Sequence, residues 1–148
     1  MQRTLIIVAD RTKARIFQYQ GVGKDFLPIH TLEHPEGRLK NKDIDSDAPG
    51  KSFSSFGQGS HDMPRENSAK EREDQRFATD IAKYLDQKRK TDGLQRLFMA
   101  AEGGFLGLIK GAMDKDTLAI VKNTLSKDYG KIPDSEITSK FKDILPVS

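Results

Sequence analysis

The chain has no cysteine. That excludes disulfides, thiolate zinc sites and cysteine nucleophiles. Long apolar runs are also missing. The N-terminal run, Leu5 to Ala9, stops at Asp10 and is too short for a signal peptide. No stretch approaches the ~20 apolar residues of a membrane-crossing helix. No block of like charges and no internal repeat occurs, and basic and acidic residues alternate along most of the chain. The expectation is a cytoplasmic protein with no membrane contact.

What is present is a polar, slightly basic chain. Its 148 residues are 35% hydrophobic and 32% charged, with a formal net charge of +3 and a pI near 9.1. This balance permits contact with nucleic acid. The length suggests one domain, residues 1–148, and a chain of that size buries about 68–70% of its unfolded surface.

Leu5–Ala9 (LIIVA) reads as a strand buried on both faces. Ala14–Gln20 reads as a second strand, hairpinned to the first after a break at Asp10 to Lys13. Gly21 and Gly23 mark a turn. Phe26–Glu33 reads as a third strand, which Pro28 places at a sheet edge or beside a bulge. From His34 to Asn67 no periodicity survives. A loop this long is functional or disordered in most compact domains.

Ser68-Ala69-Lys70-Glu71 fits a capping box and predicts a helix start at Ser68. Phe77, Ile81, Tyr84 and Leu85 define its buried stripe, and Lys88, Arg89 and Lys90 suit its negative end. Leu94–Ala101 reads as a buried strand. Glu102-Gly103-Gly104 then turns into a short helix with Phe105, Leu108, Ile109 and Ala112 inward. A helical turn and a strand around Ala119–Ser126 follow. Pro133-Asp134 opens a last helix with Ile137, Phe141 and Ile144 inward. The order β-β-β-loop-α-β-α-β-α predicts the α/β class: a three-layer sandwich around a mixed sheet.

Several constellations could carry chemistry. Glu102, Gly103 and Gly104 lie between a buried strand and a helix, where backbone amides suit an anion. The plainer reading is a tight turn. His30, His34 and His61, with Asp62, are more simply ordinary polar side chains than a metal set. His30 and His34 are not expected to point the same way. Ser60 and His61 are adjacent, with no third member for a triad. No metal and no cofactor is expected. Gly57-Gln58-Gly59 has two open readings. One is a flexible loop tip. The other is a loop presenting Gln58, which can donate and accept hydrogen bonds but not act as acid or base, with glycines allowing close approach.

The order of elements resembles the middle domain of the archaeo-eukaryotic peptide-chain release factors, which has a ribonuclease H-like fold. Phe56-Gly57-Gln58 stands where that domain carries Gly-Gly-Gln, so Phe56 replaces the first glycine. More closely, LIIVADRTKARIF (5–17), HPEGRLKNKDIDSDAPGKSFSSFGQGSH (34–61), KEREDQRFA (70–78) and AAEGGFLGLI (100–109) resemble a bacterial family named for attachment to host cells, grouped with single-domain relatives of those factors. The histidine that family often shows near its C-terminus is absent from Lys127-Asp128-Tyr129-Gly130-Lys131.

The release-factor likeness implies a ribosome-associated protein aiding peptidyl-tRNA hydrolysis or ribosome rescue. Its partners would be the ribosome, rRNA and peptidyl-tRNA. Gln58, flanked by Gly57 and Gly59, would position water. Lys51, Arg65 and Lys88 to Lys90 would meet rRNA phosphates, with His61 a further binding residue. With no stop-codon-reading domain, the chain is not a complete release factor. The family's name implies the alternative, an interaction or adhesion role in attachment without catalysis. A third reading is a small-anion domain built on Glu102 to Gly104.

Overall fold

The computed structural model describes residues 3–34 and 59–145; for 59–68 it describes the backbone alone. Five strands and four helices occur among the described residues. They are β1 (Arg3–Ala9), β2 (Lys13–Gln18), β3 (Leu27–Glu33), α1 (Gly59–Asp92), β4 (Leu94–Ala100), α2 (Gly103–Ala112), α3 (Lys115–Ala119), β5 (Val121–Leu125) and α4 (Asp134–Lys140). The strands form one mixed sheet in the order β3-β2-β1-β4-β5. β1 and β4 are parallel, as are β4 and β5, whereas β2 runs antiparallel to both β1 and β3.

Strand alternation splits the core in two. Leu5, Ile7 and Ala9 of β1, with Ile16, Leu97 and Met99, meet α1 and α2 on one face. Ile6 and Val8, with Phe17, Phe98 and Ala100, meet Ile137 and Phe141 on the other. Because both faces of β1 are covered, its apolar residues are continuous, as LIIVA predicts. On α1, Phe77, Ile81 and Leu85 recur at four-residue spacing and are fully buried. Ala78 and Ala82 between them let the helix sit close to the sheet. Full burial of one such large side chain stabilises by about 1.5–3 kcal/mol. The mixed α/β sandwich is therefore as the sequence predicts.

β3 is an edge strand, and its pairing with β2 also shifts register between Ile16 and Phe17. Pro28 thus meets both of its expectations at once. Gly93 ends α1 at φ 72°, a left-handed conformation that glycine adopts without penalty.

Two expectations need correcting. α1 begins at Gly59, not Ser68. The helix runs through Pro64 and then through the capping-box motif, which therefore lies in its interior and does not set its start. The loop expected over 34–67 therefore gives way to helix from Gly59. His30 and His34 do share a direction, since an even spacing along a strand returns to one face. His30 stacks on Tyr84 at 4.8 Å and His34 on Phe77 at 5.0 Å, both on α1.

Candidate functional site

The carboxyl ends of β1, β4 and β5 bring three connecting segments together, the end of an α/β sheet where ligands commonly bind. At the end of β1, Asp10 Oδ1 accepts hydrogen bonds from the Thr12 amide (2.8 Å), the Thr12 hydroxyl (2.9 Å) and the Lys13 amide (2.8 Å). A short acidic side chain in this role folds the backbone back into β2.

Next in the chain, Arg11 reaches two carboxylates. Its Nε donates to Asp74 on α1 at 2.8 Å and one terminal nitrogen to Glu102 at 2.7 Å. Its guanidinium also lies 5.7 Å from the centre of the Phe105 ring. Burial disfavours the Arg11 charge, but the hydrogen bonds it donates to Asp74 and Glu102 outweigh it. The guanidinium holds its proton more tightly than usual.

Glu102 caps α2. Its carboxylate accepts from the Gly104 amide at 2.9 Å and the Phe105 amide at 3.2 Å, satisfying donors that a helix start leaves open. The Gly104 amide, then Arg11, then the Phe105 amide hold the Glu102 carboxyl below the usual carboxylate range. The helix end that an anion would need open is therefore occupied by the chain's own carboxylate.

The segment after β5 closes the cluster. Asp128 accepts from the Gly130 amide at 2.9 Å. Gly130 lies so close to Asp10 that a Cβ there would overlap the Asp10 carboxylate. His34 is buried. Its Nε2 faces Glu73 at 3.4 Å, an ion-pair contact whose geometry falls short of a hydrogen bond.

Of the residues picked out in the sequence, the structure gathers Glu102, Gly103 and Gly104. It adds Asp10, Arg11, Asp74, Asp128 and Gly130. The signal available for Arg11 and Asp10 was their place at the end of a buried strand; in the sequence they read only as a break. Lys51, Gly57 and Gln58 lie outside the described residues. Gly59 is the first residue of α1, and His61 and Arg65 lie in its opening turns with side chains outside the description. The basic end of α1 is engaged by Asp92 at its own end and by Asp114 ahead of α3. Lys88 pairs with Asp92 at 2.7 Å, and Arg89 and Lys90 lie 3.7 and 3.5 Å from Asp114.

Among the described residues no three His, Asp or Glu are placed to hold a metal ion. Nor is any described helix long and apolar enough to cross a membrane. What the cluster does is hold β1, α1, β4 and α2 together by charge.

Residues 5–140 match the model of a family described as protein required for attachment to host cells. The chain belongs to that family. No curated protein matches it. The host-attachment description overturns the expectation of a translation factor aiding peptidyl-tRNA hydrolysis. That expectation rested on an order of elements and one tripeptide, and a fold carries many functions. The host-attachment match instead covers nearly the whole chain.

Proposed function

We propose that this protein acts in the attachment of a cell to its host through an interaction role rather than through catalysis. The observation that carries the reading is the host-attachment family match across residues 5–140. The geometry supports it. At the strand ends, Asp74 and Glu102 are taken up by Arg11, Glu102 also by two α2 amides, and Asp10 by its own turn. Groups so committed build a rigid scaffold and leave little to move a proton. A kinship in fold with the release-factor middle domain is compatible with this role, and no release activity is attached to it.

The test uses fluorescently labelled full-length protein titrated onto host cells. Saturable binding, competed by unlabelled folded protein and lost on heat denaturation, is the expected result. Binding that never saturates, or that denatured protein competes equally well, would sink the interaction role.

A further inference from the structure

At the opposite end of the sheet from Arg11 lies an open groove of about 440 Å³, where β1 and β4 begin and β2 ends. That volume falls within the ~300–1,000 Å³ of small-ligand sites. Arg3, Gln18, Tyr19, Asp92 and Gln95 line it. We propose that this groove binds a neutral saccharide, the recognition element of the attachment role proposed above, on which the inference rests.

Three features carry it. First, the lining is made of side chains that both donate and accept. Gln18 and Gln95 are primary amides with two donors and an acceptor each, which suits the hydroxyl groups of a sugar, since these also do both. Second, these groups are largely uncommitted. Among the described residues, the Arg3 guanidinium, the Gln18 amide and the Tyr19 hydroxyl make no hydrogen bond. Gln95 uses its carbonyl oxygen to accept from the Arg3 backbone amide at 3.3 Å, leaving its amide donors. This contrasts with the committed charges at the strand carboxyl ends.

Third, the charges match. One cation, Arg3, and one anion, Asp92, face the groove. Lys88 first, then Thr91, with Arg3 adding to the effect, hold the Asp92 carboxyl below its usual range and ionised at neutral pH. A lining with one charge of each sign favours a neutral polyol over a phosphate or a carboxylate. Tyr19 supplies the other half of sugar recognition. Its ring is half-buried, braced edge-on by Phe26 with centroids 6.3 Å apart. An aromatic surface can pack against the C–H face of a pyranose while its hydroxyl stays wet. The floor is fixed as well, since Arg96 Nε donates to the buried Thr4 hydroxyl at 3.0 Å.

Such a sugar could come from a host-surface glycan or from the cell's own polysaccharide. The experiment titrates N-acetyllactosamine and cellobiose, as probes of the two sources, into ¹⁵N-labelled full-length protein. Shifts are mapped by two-dimensional NMR. Shifts from either probe confined to Arg3, Thr4, Gln18, Tyr19, Gly93 and Gln95 are expected. Gln18→Ala and Arg3→Ala should each weaken binding about fivefold, the loss of one ordinary hydrogen bond, with unchanged melting temperature. No shift with either probe at tens of millimolar, shifts elsewhere, or variants that bind like wild type would overturn the saccharide site. A strain lacking the protein separates the two claims. If its attachment falls while neither sugar binds, the groove inference alone fails. If attachment is unaffected, the attachment role fails whatever the sugars do.

Discussion

Replacing Gly130 with alanine should destabilise the fold through one contact, Asp10. A Cβ at residue 130 would overlap Asp10 Oδ2, and it would also crowd Asp128 Oδ1 at 3.1 Å. The overlapped atom is the tip of a side chain, which could swing away if it were loose. It is not loose, because the other carboxylate oxygen already accepts from the Thr12 amide, the Thr12 hydroxyl and the Lys13 amide. Moving it breaks the turn that leads β1 into β2. Overpacking of this kind costs about 1–3 kcal/mol, or roughly 2–4 °C of melting temperature per kcal/mol in a chain near this size. Chemical denaturation of Gly130→Ala checks the magnitude. Gly103→Ala is the control, since its Cβ would meet only Ser126 Oγ at an ordinary 3.4 Å, and it should change stability by less than about 0.5 kcal/mol. The cause is isolated in an Asp10→Ala background, where Gly130→Ala should lose most of its effect. If Gly130→Ala matches wild type, or costs the same with and without the Asp10 carboxylate, the contact is not what fixes glycine at that position.

Three further outcomes follow from other contacts. Glu102→Gln should lower stability at pH 7. Because Gly104, Arg11 and Phe105 hold the Glu102 carboxyl low, its contribution is present above the ordinary carboxylate value of about 4.3 and fades as pH falls through the lower folded value. Thermal melts from pH 7 to 3 should therefore show the gap between variant and wild type narrowing at the acid end. Arg15→Met should cost at least about 1.5–3 kcal/mol, the scale of a single hydrogen bond from a charged group. Arg15 is buried and donates to the Tyr129 and Ile132 carbonyls and to Asp134, so hydrogen exchange in α4 should rise most. Ile81→Ala, at a fully buried position between α1 and the sheet, should cost about 2–5 kcal/mol in denaturant unfolding.

How much of this could be read in the sequence follows from the range of each interaction. LIIVA showed β1, and Phe77, Ile81 and Leu85 showed the inward face of α1, because burial writes a local period into the chain. Pro28 located an edge and a bulge because a missing N–H has only a few tolerable places. The helix start was misplaced because a capping box is a local option. Ser68 and Glu71 can equally sit inside a helix that has already begun at Gly59. The charged network was not legible at all. Arg11 meets Asp74 and Glu102 across 63 and 91 residues, and Arg15 reaches residues 129–134. No spacing rule connects partners that only the sheet order brings together. Nothing in the sequence singled out Gly130, because only the fold lays Asp10 against it. The two histidines were misjudged by overlooking the strand's two-residue period. The family match followed the closer resemblance, to the attachment family, and not the more distant likeness in element order.

The deciding measurement is the fraction of input cells adhering to host cells, compared between a strain lacking this protein and the same strain expressing it again from a plasmid. Adhesion should fall in the first and return in the second, with growth rate and bulk protein synthesis equal in both. Equal adhesion in the two strains would contradict an attachment role. A fall in protein synthesis tracking the loss of adhesion would return the protein to translation.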